Sequence, residues 1–383
     1  MSQRAKTEYL LMIWERYQNS DQAGKSRILD EFCKVCGYAR NYAIRKLNTH
    51  PNRAKKKPGR KAFYDEAFVE VLLKVWQAMH RTCSKKMVEA LPIWLAHHDF
   101  SPGIAEKLKK ISAAQIDRLL GPYRNPKIRG KSLTPKNKNF IKRVIPLKPL
   151  DAEYTKPGAI QSDTVAHCGD TIAGFYAYSL TMTDIHSTWT ENRATWTKSA
   201  HLVGEAIKDI EKALPFPITD YSADNGNEVL NENIFDHFNK RPEGKKVNVT
   251  RGRPYRKNDQ AYVEQKNNSH VRGVFGYERI DDRGLVNRMN EIYVLWNRLQ
   301  NFFIPTMKCI EKKRDGAKIK KKYDKPKTPY QRILDSADVG EEAKKKLRDT
   351  HALLNPFELS EEIEKKRSSF FGILKKLKQS RVA

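Results

Sequence analysis

A multidomain chain is what the sequence predicts: an all-α amino-terminal part built of helix-turn-helix modules, an α/β domain on a mixed sheet, and a basic carboxy-terminal extension. Three observations carry this. Polar Pro/Gly/Lys-rich breaks at 51–61, 126–142 and 307–327 divide the 383 residues. Apolar residues before position 125 recur at helical spacing, whereas 155–305 mixes period-two alternation with helical stripes. The breaks give a helix-turn-helix domain at 1–50, a basic linker at 51–62 and a second helical domain at 63–125. A second basic linker at 126–154 follows, then the α/β domain at 155–305 and a basic, partly helical region at 306–383.

Charge narrows the partners. Lys and Arg number 73 against 45 Asp and Glu, a net charge of +28, and so large an excess points to a polyanion such as nucleic acid. Hydrophobic residues make up 39% of the chain, enough for packed cores and too many for a disordered polymer. No apolar run approaches the ~18 residues of a spanning helix, so no membrane partner is expected. Five cysteines, an odd number, make no disulfide framework, and a cytoplasmic, nucleoid-associated protein is the expectation.

In the first domain, Tyr9, Ile13 and Tyr17 mark one helix and Ile28, Leu29 and Phe32 a second. A break at Cys36-Gly37 precedes a short helix, 40–47, carrying Arg40, Asn41 and Arg45. Helix, glycine turn, then a helix rich in Arg and Asn is the pattern in which the second helix enters the major groove. The second domain repeats it: Phe68, Leu72, Val75 and Trp76 are core, and Ser112 starts a helix presenting Gln115 and Arg118. Cys33 and Cys36 read as core cysteines, because no second ligand pair completes a zinc site, and no zinc is expected. Nor is there a phosphate-binding loop of the G-x-x-x-x-G-K-[ST] kind, so no nucleotide is expected.

Between 155 and 305 the predicted order is a strand at 159–165, a half-buried strand through Tyr176, Tyr178, Leu180 and Met182, and a turn at Asp184 into a third strand. Helices follow at Val203–Leu214 and Leu230–Phe238, each before a short strand, and a closing helix runs from Met289 to Phe303. Three carboxylates stand out. Asp163 lies within the first strand, Asp224 at the end of a later one before Asn-Gly, and Glu264 in a helix after a cationic loop. Three such acids converging on a mixed sheet suit two magnesium ions, which take hard oxygen ligands and act in pairs on phosphodiesters. His167, Asp170, Asp184 and Glu228 read as structural or surface residues. On the Glu264 helix, Gln260, Asn267 and Asn268 share its face, Lys266 and Arg272 add charge, and Arg251, Arg253, Arg256 and Lys257 form a phosphate-tracking loop.

The runs GAIQSDTV, YSADNGNEVLNENI and RGRPYRKNDQAYVEQKN, in that order, resemble the catalytic core of DDE transposases and retroviral integrases, and more narrowly the integrase-type transposases of bacterial insertion sequences. The resemblance implies an RNase H-like core with Asp163, Asp224 and Glu264 as catalytic residues and metal ligands, two Mg²⁺ ions (or Mn²⁺), and Gln260, Asn267 and Asn268 as neighbours of the bound DNA end. The activity it implies is cleavage of a transposon-end phosphodiester and joining of the 3′-hydroxyl to target DNA, by a dimer or larger assembly on double-stranded DNA. Two departures are evident: the 39 residues between Asp224 and Glu264 exceed the retroviral interval, and no His₂Cys₂ module precedes the core. A catalytically inactive DNA-binding regulator and a stand-alone RNase H-like nuclease are the rival readings.

Overall fold

The computed structural model describes residues 1–49, 63–124, 154–223, 229–251, 261–316 and 318–380. Linker 51–62, and all of linker 126–154 but its last residue, lie outside them. The chain divides into two compact units, Met1–Phe63 and Tyr64–Ala383.

The first unit has three helices: α1 (Gln3–Gln18), α2 (Gln22–Cys36) and α3 (Arg40–Leu47). The Ser2 hydroxyl accepts from the Ala5 N–H and the Asp21 carboxylate from the Gly24 N–H, so both long helices begin on a side-chain cap. Helix α2 stops at Gly37, which adopts φ 66° and returns its N–H to the Cys33 carbonyl. A left-handed residue here is why glycine is required. Leu10, Ile13, Phe32, Cys36 and Leu47 are among the side chains that fill the core, with Cys33 packed against it.

The second unit begins with α4 (Glu66–Ala78), α5 (Ser84–Leu95), α6 (Pro102–Lys110) and α7 (Ala113–Leu120). A mixed sheet follows: β1 (Ala159–Ala166), β2 (Ala177–Asp184), β3 (Thr190–Trp196), β4 (Asp220–Ala223) and β5 (Asn248–Arg251). Its order is β3-β2-β1-β4-β5, with β1, β2 and β3 antiparallel and β4 and β5 parallel to β1. Helices α8 (Ala200–Ala213) and α9 (Glu232–Asn239) connect the later strands. Next come α10 (Ala261–Lys266), a π-helical stretch Asn267–Arg272, a single turn α11 (Gly273–Phe275) and the long α12 (Leu285–Phe303). A ribbon of β6 (Cys309–Asp315) and β7 (Lys318–Tyr323) precedes α13 (Pro329–Asp335), α14 (Glu341–Ala352) and α15 (Pro356–Ser380).

Three expectations are corrected. Residues 63–125 and 306–383 are not cores of their own, since both contribute to one core with the sheet. The indole N–H of buried Trp94 donates to the Phe303 carbonyl (3.1 Å), and Phe357 packs edge-on against Trp94. Strand β2 is buried along its whole length, not on one face, because it lies between β1 and β3 with helices on both sides. Ile160, Leu180 and Met182 share a core with Val203 and Ile207 of α8, while the opposite face meets α10. Finally, the break at 307–327 contains an exposed antiparallel ribbon turning at Gly316 (φ 56°).

The outer edge of β3 is closed by side chains. Asn290 of α12 exchanges hydrogen bonds with the N–H and carbonyl of Ala194 (2.7 and 3.1 Å), and Asn301 does the same for Thr190 (2.9 Å each). Asn297 donates to the Asn192 carbonyl between them (3.4 Å). The helix thus satisfies alternate backbone groups of an otherwise open strand edge. Asn301→Ala leaves two buried backbone groups of Thr190 unpaired, and denaturant unfolding should show a loss of about 2–4 kcal/mol.

Burial also sets a pH dependence. His80, at φ 49° between α4 and α5, has its pKa pushed down to about 4 by burial. Its neutral form is favoured when folded, so this contribution is complete above the usual 6.5 and is lost as pH falls from there towards about 4. Asparagine tolerates the left-handed conformation, which makes His80→Asn the clean control. Between pH 7.5 and 5.5 the wild type should lose about 1.4 kcal/mol more stability than His80→Asn.

Candidate active site

Side chains two apart on a strand share a face, so Gln161 and Asp163 of β1 point the same way. Register extends them into two cross-strand rows, Gln161–Thr183–Thr190 and Asp163–Thr181–Asn192. All six are polar, and apart from Asp163 all are buried. They bond among themselves: the Thr183 and Thr190 hydroxyls lie 3.1 Å apart, and the Asn192 amide donates to the Thr181 hydroxyl (2.8 Å).

Helix α10 and the π-helical stretch lie on this polar face through three fastenings. The Gln161 side-chain carbonyl accepts from the backbone N–H groups of Tyr262 and Val263, both at 3.2 Å. These N–H groups belong to the first turn of the described helix. Four residues on, the Asn267 amide donates to the Asp163 carboxylate (2.6 Å), whose other oxygen accepts the Thr164 N–H (2.8 Å). A third fastening pairs His270 Nδ1 with the Asn192 amide oxygen (3.2 Å). Glu264 stands three residues before Asn267, exposed, on the part of the helix that adjoins Asp163. Arg272 closes the stretch, donating to the carbonyls of Ala166 (3.0 Å) and Gly276 (3.2 Å).

Asp163 and Glu264 are therefore brought to one locality from positions 101 residues apart in the chain. Asp224 lies outside the described residues. The chain reaches it one peptide bond beyond Ala223, the register partner of Ser162. Arg251 is in turn the partner of Ala223 across β4 and β5. Among the described residues no three His, Cys, Asp or Glu side chains converge as a metal site. The two described acids offer carboxylate oxygens, the hard donors magnesium takes. Beside them the Asn267 side-chain oxygen is buried with no hydrogen-bond partner.

Arg253, Arg256, Lys257 and Gln260 also lie outside the described residues. Asn268 is exposed beside Glu264, whereas Asn267 faces inward onto Asp163 and not towards solvent, because the helix face that carries it is clamped to β1. Lys266 is turned away from the acid, and burial, then Lys86 and Arg332, push its pKa down to about 7. Arg272 stacks on Tyr277 (4.8 Å) and spends its donors on carbonyls, which makes it a tether of the backbone. On α7, Gln115 accepts from Arg118 (2.9 Å), a surface pair. In α3, Arg40 is ion-paired with Asp30, Arg45 lies over Tyr42 (5.4 Å), and Asn41 is exposed.

Asp184 and His167 have structural work, Asp170 is exposed, and Glu228 lies outside the described residues. Asp184 accepts from Ser187 N–H and hydroxyl (2.6 Å each) and from the Gly158 N–H (2.9 Å), with its pKa raised by burial. Gly158 adopts φ 124°, and a Cβ there would meet the Pro217 carbonyl at 2.8 Å, so only glycine lets β1 start so close to its neighbour. His167 is buried against Ser179 (2.7 Å), its pKa pushed down to about 3 by burial and then by Arg272.

No protein-family model matches the chain. It is 34% identical over 342 residues to the uncharacterized protein y4rM of Sinorhizobium fredii, covering 87% of this chain and 96% of that protein. The chain belongs to the y4rM family. Among solved structures it is similar to the catalytic core domain of BIV integrase, with TM-score 0.31 and 17% identity, covering 49% of this chain and 98% of that one.

Gln161 was missed by sequence reading, because a glutamine in a strand beside serine reads as ordinary alternation. Replacing it by leucine removes the acceptor for two helix N–H groups. Hydrogen exchange should then speed up at Tyr262 and Val263 by about 10–100-fold, with exchange in α8 unchanged.

Proposed function

We propose that this member of the y4rM family is a DNA transposase of the DDE type, which cleaves the phosphodiester at a transposon end and joins the freed 3′-hydroxyl to target DNA. The observation that carries the reading is the clamp of α10 onto β1, which brings Glu264 to Asp163 while β4 ends beside Ser162, one residue short of Asp224. The donor set of Asp163, Asp224 and Glu264 fits two magnesium ions, with manganese as a substitute, and such ions supply Lewis-acid stabilisation of charge on phosphodiester oxygens.

This chain's own residues then have separable tasks. Asn267 and the Thr164 N–H orient the Asp163 carboxylate, one on each oxygen. Gln161 fixes the height of the Glu264 helix on the sheet. Asn268, exposed next to Glu264, is set to meet the DNA end, with Gln260 and the cationic residues Arg251, Arg253, Arg256 and Lys257 preceding it in the chain.

Long-range grip comes from basic elements. Helix α3, with Arg40, Asn41 and Arg45, follows α2 across a glycine turn as a reading helix would, and Gln115 and Arg118 on α7 make a second candidate. In the exposed ribbon, Lys312 faces Lys321 and Lys313 faces Lys320. Directly opposed like charges cost stability in isolation, and a polyanion relieves that repulsion. Joining two ends implies a dimer or larger assembly on double-stranded DNA.

The test is strand transfer with a labelled duplex carrying the terminal sequence flanking the gene, a plasmid target and Mg²⁺ or Mn²⁺. Asp163→Asn, Asp224→Asn and Glu264→Gln should each reduce joined product by roughly 10³-fold or more while end binding persists. End binding by the wild type with no nicking or joining in either metal would support the regulator instead. Cleavage confined to RNA–DNA hybrids would support a stand-alone nuclease.

A further inference from the structure

Against the Glu264 helix lies a cavity of about 540 Å³ bounded by the α4–α5 turn, the α10–π-helical stretch and α12. Its lining is one-sided chemically: among the described residues Lys86, Lys266, Arg81 and Arg272 contribute, and no Asp or Glu does. Neither Lys86 nor Lys266 has an ion-pair partner among the described residues. Trp296 also lines the cavity. It is 4% exposed, and its indole N–H is buried with no hydrogen-bond partner among the described residues.

An unpaired ammonium and an unpaired buried N–H are each costly, and two lysines side by side add mutual repulsion. One oxyanion in the cavity would relieve the two lysines. The turn that carries Arg81 is itself unusual: His80 and Arg81 are consecutive non-glycine residues with left-handed backbone, φ 49° and 56°. Such conformations persist where the surroundings hold them, and they concentrate at binding sites. At the mouth, Gln265, Asn268 and Ser269 are exposed, so the cavity opens onto the stretch of helix that bears Glu264.

We propose that this cavity is a phosphate-binding site built by Lys86 and Lys266, and that its occupant is a backbone phosphate of the DNA strand bound alongside Glu264. The second half rests on the function proposed above; the first half does not. Lys86 comes from the helical region ahead of the sheet, so the site would make that region part of the grip on DNA at the catalytic helix.

The experiment uses the full chain. Thermal unfolding is followed in inorganic phosphate and in chloride at equal ionic strength. Phosphate should raise the wild-type Tm by on the order of 2–4 °C at tens of millimolar. Lys86→Met should lose most of that rise and Lys86→Arg should keep it. A wild type that responds no more to phosphate than to chloride overturns the site, as does a Lys86→Met protein that responds like the wild type. Duplex binding across a salt series identifies the source: a backbone phosphate predicts that Lys86→Met lowers the log–log salt slope by about one. An unchanged slope with the phosphate response lost overturns the DNA half and assigns the cavity to free phosphate. Because the Tm readout needs no catalysis, absence of strand transfer with the phosphate response intact would strike the proposed function and leave this site standing.

Discussion

Everything at the candidate site depends on a helix lying on the polar face of a sheet, its first turn held by one buried glutamine. Gln161 has 0% exposure, and its side-chain carbonyl is shared by two N–H groups of α10. Burying an unpaired amide would cost about 1–3 kcal/mol, so the two partners stabilise each other's position. The same arrangement makes the Asn267–Asp163 contact possible, because Asn267 follows at the spacing that returns it to the sheet. A strand carboxylate and a helix carboxylate are thereby kept together without a direct bond between them.

That clamp in turn needs a rigid sheet, and rigidity comes from hydrogen bonds made outside the strand ladder. Three asparagines of α12 close the β3 edge, and Asp184 ties the start of β1 to the β2–β3 turn. Both devices put polar side chains into buried surroundings where every donor has a target. The helices of 64–124 and those after 328 complete the burial from the far side of α12, which explains why they share its core. The cationic cavity stands out against this background as a place where, among the described residues, lysines line a space with no acid.

Much of this was legible in the sequence. Period-two alternation and helical stripes are local signals, and strands and helices of 155–305 fall within a few residues of where those signals put them. Asp163 and Glu264 were legible as strand and helix acids, because an ionisable group inside a strand has few bland explanations. What was not legible depends on contacts about a hundred residues apart. The Gln161–Val263 and Asn301–Thr190 bonds have separations of 102 and 111 residues, and neither leaves a local pattern. The ribbon at 309–323 was hidden for another reason: its strands are lysine-rich and exposed on both faces, so no hydrophobic period marks them. Burial of β2 on both sides was invisible because Thr181, Thr183 and Ser179 read as solvent-facing until their partners are known.

The central claim is that β1 and α10 hold Asp163 and Glu264 as parts of one metal-binding centre. Anomalous diffraction from crystals of the protein grown with Mn²⁺ tests it most directly. The account predicts manganese peaks bound by the carboxylates of Asp163 and Glu264, with Asp224 joining them and Asn267 still on Asp163. Manganese bound elsewhere while these carboxylates stay empty, or Glu264 found remote from Asp163 in the ordered protein, would contradict it.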